Sequence, residues 1–416
     1  MSKSLLWFVS RLDQAGGGDR LFFETKASLK NCGVDVNVLT WKFNDAALFN
    51  GKYGADGVIN IGEKSIGSPS VGILGKVYAR VATFFESYKH IKRLKPDFLV
   101  CQSEYEAILV SWLSFLTGTP YVVKVFGQTY LDALEPAKFL FPFKKHLNEI
   151  RNSLPIYIET IPLKRPKFGV KLFIIYQIAC VLRYFAVRNA SYIFTLSPQC
   201  RYEVNTLYGV EPIVLRSGFR SELLDYENQN KVKARHGLKS ETKIITCFSR
   251  LLPKKRIDVA IRAFEKVSRT HSNVAMFVCG SGPELGSLKR LASELGLDSI
   301  IYFTGYVHED DVEDYIGESD MLVNLDVAQF DIVALEAIAL KTKIVGLTDH
   351  EFSEIFVRAN CIEGSDPSPE GVALSIENTL QDSEIKITPE FTAELQSLTW
   401  DSYGKSFHDY IYGEKK

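Results

Sequence analysis

The sequence predicts an α/β fold of two Rossmann-like, doubly wound domains. Three observations predict it. Short runs rich in Val, Ile, Leu and Phe alternate with helix-length segments almost throughout. The runs are apolar on both faces, as strands of a parallel sheet covered by helices must be. They fall into two series, separated near 217–235 by the polar, strand-poor tract "SGFRSELLDYENQNKVKARHG". One series per domain is the pattern of two such sheets in one chain.

Taken in order, the first series holds "LLWFV" (5–9), "DVNVLT" (35–40), "VINI" (58–61), "FLVC" (98–101), "YVVKVF" (121–126), "YIFTL" (192–196) and "PIVL" (212–215). The second holds "KIITCF" (243–248), "AMFVCG" (275–280), "IIYFTG" (300–305), "DMLVNL" (320–325) and "KIVGL" (343–347). Two helices between them show their period clearly. Leu285, Leu288, Leu291 and Leu295 recur at spacings of three and four, with Pro283 suited to the first turn and Gly296 to the left-handed residue after the last. Ile257, Ala260, Ile261, Phe264 and Val267 repeat the pattern. The expected domains are 1–220 and 221–397, with a helix over 398–416 packing back on the first.

Composition excludes several classes. Apolar residues make up 46% and charged residues 24%, the ordinary globular mix, and the net charge of −1 gives no field for nucleic acid. Seven cysteines form no C-x-x-C pair, which reads as a reduced, cytoplasmic chain rather than a disulfide framework or zinc site. Seven histidines show no metal-ligand spacing. The apolar stretch before Arg11 is too short for a signal sequence and reads as a first strand. The best membrane-span candidate, "LFIIYQIACVL" at 172–182, falls short of the roughly 18 apolar residues a span requires and carries Gln177. It is expected to form a buried or interfacial helix.

One region departs from the near-neutral whole. From Lys138 to Arg188 there are ten Lys or Arg against Glu149 and Glu159, with Phe139, Phe141, Phe143 and Phe173 among them. A basic, aromatic, amphipathic stretch fits docking on an anionic membrane surface. It equally fits a solvated basic face whose aromatics lie in the core.

Glycine-rich loops follow predicted strands in both series: "QAGGGDR" after the first strand and "CGSGPE" after 275–280. Ligands sit at such strand ends, and glycine lets backbone approach a phosphate. Arg250 and Lys255 in "SRLLPKKR" flank a strand–helix junction, where a planar fork and a point charge can clamp a diphosphate. In "FDIVALEAIALKTKIV" a lone carboxylate, Glu336, interrupts an otherwise apolar helical run.

The segments "CFSRLLPKKRIDVAIRAFEKV", "FVCGSGPELGSLKRLASELGLDSIIYFTGYV" and "SDMLVNLDVAQFDIVALEAIALKTKIV" together resemble the nucleotide-binding half of glycosyltransferase family 4. The likeness covers about 243–380, and "GGGDRLFFETKASLKNCGVDVNVLT" with "KPDFLV" fits the acceptor domain's opening. The resemblance implies GT-B architecture, with two domains facing across a cleft. It implies a retaining hexosyltransferase that needs no metal and no cofactor beyond its UDP- or GDP-linked sugar donor. Arg250 and Lys255 match the basic pair on the diphosphate, and Glu336 the glutamate that holds the ribose hydroxyls. Val307 lies in the loop that contacts the base, and Gly16, Gly17 and Gly18 match the N-terminal donor loop. The implied acceptor is a glycan or a lipid-linked sugar, as in bacterial or archaeal surface polysaccharide synthesis. The implied place is the cytoplasm or the inner face of the membrane.

Three departures stand out. The family's second glutamate, eight positions before Glu336, is Ala328 here. Its glycine at 331 is Asp331, which would cap the helix with the Ile332 and Val333 N–H groups still pointing outward. The alternative role is for Asp331 or Asp326 to replace the missing glutamate at a sugar hydroxyl. Phe126 stands where many members carry a histidine. These losses keep two alternatives open: a GT-B partner protein without activity, or a nucleotide-sugar epimerase of the same architecture.

Overall fold

The structure, a computed structural model, describes residues 3–12, 16–44, 53–62, 73–125, 142–146, 149–150, 170–326, 332–347 and 354–413. The chain divides into two compact units. The first runs to Arg216 and resumes at Asp401; the second includes Ser217–Trp400.

The first unit is built on seven strands: β1 (Lys3–Leu12), β2 (Val34–Phe43), β3 (Val58–Asn60), β4 (Phe98–Cys101), β5 (Tyr121–Val125), β6 (Tyr192–Thr195) and β7 (Ile213–Val214). They lie in the order β3-β2-β1-β4-β5-β6-β7, and every pairing is parallel. The second unit holds β8 (Lys243–Phe248), β9 (Val274–Cys279), β10 (Ile301–Gly305), β11 (Met321–Asn324), β12 (Lys343–Leu347) and β13 (Ile362–Ser365), ordered β10-β9-β8-β11-β12-β13. Both sheets reverse direction beside their first strand, at β1/β4 and at β8/β11. Ligands of doubly wound sheets bind outside the carboxyl ends of strands at such a reversal.

Why the runs are apolar on both faces is visible in the second sheet. Ile244, Phe277, Leu322 and Ile344 point into one core. Their neighbours Ile245, Met276, Val278, Met321, Val323 and Val345 point into the other. Successive side chains alternate faces, so two covered faces demand an unbroken apolar strand. β13, reading Ile-Glu-Gly-Ser, escapes this rule because it is the edge strand.

Local signals set several helix starts. Ser197, Ser368 and Thr388 each precede a proline and accept a backbone N–H three residues on, at 3.1, 3.1 and 3.2 Å. The hydroxyl meets an N–H the helix itself cannot pair, and proline has none to lose there. The helix predicted over 283–295 begins at Leu285, so Pro283 lies ahead of its first turn rather than inside it. Gly296 does take the left-handed conformation, with φ +71°.

The helix Trp400–Tyr412 closes the first unit. Phe407 stacks on Trp7 at 5.8 Å and meets Phe194 at 4.9 Å. Lys124 of β5 lies fully buried between this helix and the sheet, its Nζ 4.6 Å from the Trp7 ring, 5.2 Å from Tyr403 and 5.4 Å from Phe407. Burial lowers its pKa well below the ordinary 10.5. The unfolded chain therefore binds a proton that the folded chain gives up. Stability carried by this residue is lost as pH falls and regained as pH rises toward the unfolded value. Lys124→Met is expected to raise the urea midpoint most at neutral pH, and its advantage over the wild type to shrink by pH 9.5. A pH-independent difference would show that Lys124 keeps an ordinary pKa.

Candidate active site

Arg250 and Lys255 come from the connection after β8, the strand at the reversal of the second sheet. Arg250 stands two residues past the strand with an exposed side chain. The chain then makes a single turn of 3-10 helix, Pro253–Lys255, and leaves it through Arg256 in the left-handed region, φ +52°. This turn aims Lys255 back over the sheet, where its Nζ forms an ion pair with the Asp326 carboxylate. Asp326 lies two residues beyond β11, the neighbour of β8 across the reversal. Its own N–H donates to Asn324 Oδ1 at 3.1 Å.

Asp326 is 1% exposed, and only one of its oxygens is taken up by Lys255. Its Oδ1 is buried with no hydrogen-bond partner among the described residues. A buried carboxylate oxygen in that state is a hydrogen-bond acceptor awaiting a donor.

Glu336 sits in the second turn of the helix Ile332–Ala339, which follows β11. Seven of its eight residues are buried, so the helix shows no polar stripe. Glu336 itself is 1% exposed, which no ordinary surface glutamate would be. Ile332 and Val333 open the helix, so its N-terminus faces the same strand ends. Val307, past β10, is buried in the adjoining core.

The glycines of "CGSGPE" have a packing role that the sequence reading did not include. Gly280 has φ +134°, and a Cβ there would lie 1.9 Å from the Ser249 carbonyl oxygen; one on Gly282 would lie 2.3 Å from that of Leu251. Backbone bonds tie the two loops: Ser249 N–H to Cys279 O at 3.0 Å, and Leu251 N–H to Ser281 O at 2.9 Å. These glycines let the β9 loop press on the β8 loop, which fixes the stretch that carries Arg250.

In the first unit Gly16 caps the helix Gly17–Asn31, which starts at the carboxyl end of β1. Its extended φ of −136° is one any residue adopts. A Cβ on Gly18 would meet nothing within 4 Å.

Sequence reading missed the network that shapes this end of the sheet. Buried Glu106 accepts the N–H and hydroxyl of Ser10, near the end of β1, and those of Ser103, after β4; the N–H contacts are 3.2 and 2.9 Å. Burial raises its pKa, against the pull of these donors. Gln102 joins the Trp7 indole N–H, at 2.8 Å, to the Gly18 carbonyl, at 3.2 Å. The available signal was the polar run "QSEYE" directly after a buried strand. Ala328, Asp331, Phe126 and most of 138–169 lie outside the described residues. Among the described residues no cluster of His, Cys, Asp or Glu is arranged to hold a metal ion.

Residues 228–388 match the family described as Glycosyl transferases group 1. A GDP-mannose-dependent alpha-(1-6)-phosphatidylinositol monomannoside mannosyltransferase of Mycolicibacterium smegmatis is 30% identical over 129 residues, 29% of this chain and 34% of that protein. An alpha-monoglucosyldiacylglycerol synthase of Streptococcus pneumoniae is 24% identical over 128 residues, 30% of this chain and 29% of that one. The match thus spans about a third of each relative's length. Anabaena HepE, solved with UDP-glucose, is similar with a TM-score of 0.70 at 14% identity, covering 98% of this chain and 99% of HepE. That likeness concerns the fold: it is the GT-B architecture, two Rossmann-like units in one chain.

Proposed function

We propose that this chain transfers a hexose from a UDP- or GDP-linked donor to a glycan or lipid-linked acceptor, with retention at the anomeric carbon and without a metal ion. The observation that carries the reading is Glu336, buried at the carboxyl end of the second sheet, in the same matched segment as Arg250 and Lys255. A carboxylate there accepts two hydrogen bonds from the vicinal hydroxyls of a ribose.

The chemistry then follows from charge. As the bond from the sugar to the diphosphate breaks, negative charge grows on the departing oxygen. Arg250, Lys255 and the N-terminus of the helix Ile332–Ala339 stabilise it, the work a divalent cation would otherwise do. The sugar passes through an oxocarbenium-like state. The acceptor hydroxyl attacks the same face, and its proton goes to the departing diphosphate oxygen. Asp326 Oδ1 accepts a hydroxyl of the donor sugar, the part that Ala328 cannot play. The loop at Val307 meets the base, and the backbone of Gly16, Gly17 and Gly18 is the first unit's own candidate for donor contact. The protein works on the inner face of the membrane, where an anionic surface attracts the basic stretch 138–188.

Calorimetry with UDP and GDP, followed by donor-consumption assays in a chelator, tests this directly. Turnover in the chelator is the expected result; activity that returns only with magnesium or manganese would overturn the metal-free mechanism. Glu336→Gln is expected to weaken ribonucleotide binding by about tenfold or more, the scale of a hydrogen bond to a charged group. It should affect the 2′-deoxynucleotide far less. A wild type that binds both nucleotides equally removes Glu336 from the ribose.

A further inference from the structure

The helix Val170–Arg188 was expected to bury its apolar run or lay it at an interface, and the structure buries only one side of it. Cys180, Arg183, Ala186 and Val187 face the first unit. Phe173, Ile178 and Phe185 point the other way and are about half exposed. They are not alone. The steps β3→β4, β4→β5 and β5→β6 all run the same way across the sheet, so right-handed crossovers place their three helices on one face. Ile73–Leu94, Ala107–Thr117 and Val170–Arg188 accordingly pack side by side. The middle helix turns Trp112, 54% exposed, and Phe115, 80% exposed, outward, and the first adds Phe85.

Exposed apolar side chains thus come from all three adjacent helices on one face of the sheet, and such a surface marks an interaction site. Its charge says what covers it. The three helix sequences hold eight Lys or Arg and a single acidic residue, Glu86, in a chain whose net charge is −1. The middle helix has no charged residue at all. Arg183 is anchored inward, 3.4 Å from Glu104, which in turn accepts the Tyr208 hydroxyl at 2.7 Å; this fixes the outer helix to the sheet. No helix among the described residues is long and apolar enough to cross a membrane.

We propose that this three-helix layer lies flat on an anionic bilayer, with Trp112, Phe115, Phe173 and Ile178 inserted at the headgroup boundary and the flanking lysines and arginines on lipid phosphates. The choice of lipid as occupant rests on the function proposed above. Shallow insertion of aromatic and aliphatic side chains beside basic ones is how an amphipathic surface holds to such a membrane.

The test is sedimentation of the full chain with vesicles of phosphatidylglycerol and phosphatidylcholine, against phosphatidylcholine alone, with no donor present. Binding to the anionic vesicles and not to the neutral ones is expected. Phe115→Ser with Ile178→Ser should lower it about tenfold while UDP or GDP affinity stays unchanged, which shows the variant folded. Trp112 supplies an independent readout on a nearly native protein. Trp7 and Trp400 are buried and the half-buried Trp41 lies on β2, outside the three helices, so a blue shift on adding anionic vesicles should be lost in Trp112→Phe. Equal sedimentation of the double variant and wild type, or no fluorescence shift, overturns the proposal. So does a lipid-free dimer that Phe115→Ser with Ile178→Ser dissociates, which would make a second copy the occupant. Sugar transfer that persists without vesicle binding would sink this docking and leave the transferase standing; vesicle binding without transfer would do the reverse.

Discussion

Lys255→Ala is expected to lower both turnover and stability, and Lys255→Ala combined with Asp326→Ala to recover the stability alone. The single change strands a carboxylate that is 1% exposed and was held by the lysine. Breaking a buried pair from one side costs about 3–5 kcal/mol, whereas removing both partners leaves no buried charge to penalise. Loss of the diphosphate contact proposed for Lys255 is a separate matter, typically about 1.5–3 kcal/mol, or roughly ten- to a hundredfold in rate. Arg250→Ala gives the reference case. Its side chain is exposed, so turnover should fall by a similar factor with an unfolding midpoint near the wild type. Denaturant unfolding beside a donor-consumption assay reads all four proteins. A double variant as fast as wild type would take Lys255 off the diphosphate.

Gly280→Ala is expected to do more damage than its single methyl suggests. The new Cβ would meet the Ser249 carbonyl at 1.9 Å, and both atoms belong to backbone with little freedom to give way. Strain from φ +134° adds to the clash, and together they are expected to cost about 2–5 kcal/mol. Because Ser249 precedes Arg250, nucleotide affinity should drop too, with no ligand contact altered. Gly18→Ala is the contrast: nothing lies within 4 Å of its Cβ, so the unfolding midpoint should hold while donor affinity falls. If Gly280→Ala melts like wild type, the two loops are not packed as described.

These two glycines show where sequence reading reaches its limit. The strands at 98–101, 243–248 and 343–347 were legible to the residue, because burial on both faces leaves an unbroken apolar run with polar ends. β13 was not, since its edge position relaxes that demand. Glu336 was legible as an anomaly, a charge in an apolar helix. The pairing of Lys255 with Asp326 was not, because 71 residues separate them and only the adjacency of β8 and β11 joins them. The packing role of the "CGSGPE" glycines was not legible, since a close backbone and a close phosphate both call for glycine. Glu106 was invisible for a related cause: its four contacts come from two strand ends far apart in sequence.

The helix Trp400–Tyr412 also dictates an order of assembly during synthesis. Phe407 is wholly buried in the first unit, yet it is translated after every residue of Ser217–Trp400. The second unit can finish folding while the first still lacks one wall over Trp7, Phe194 and Lys124. A chain halted near 216 would present those side chains to its surroundings, a setting for aggregation. Ser217–Trp400, by contrast, contains its own sheet and both of its cores, and is the piece to express alone for nucleotide binding.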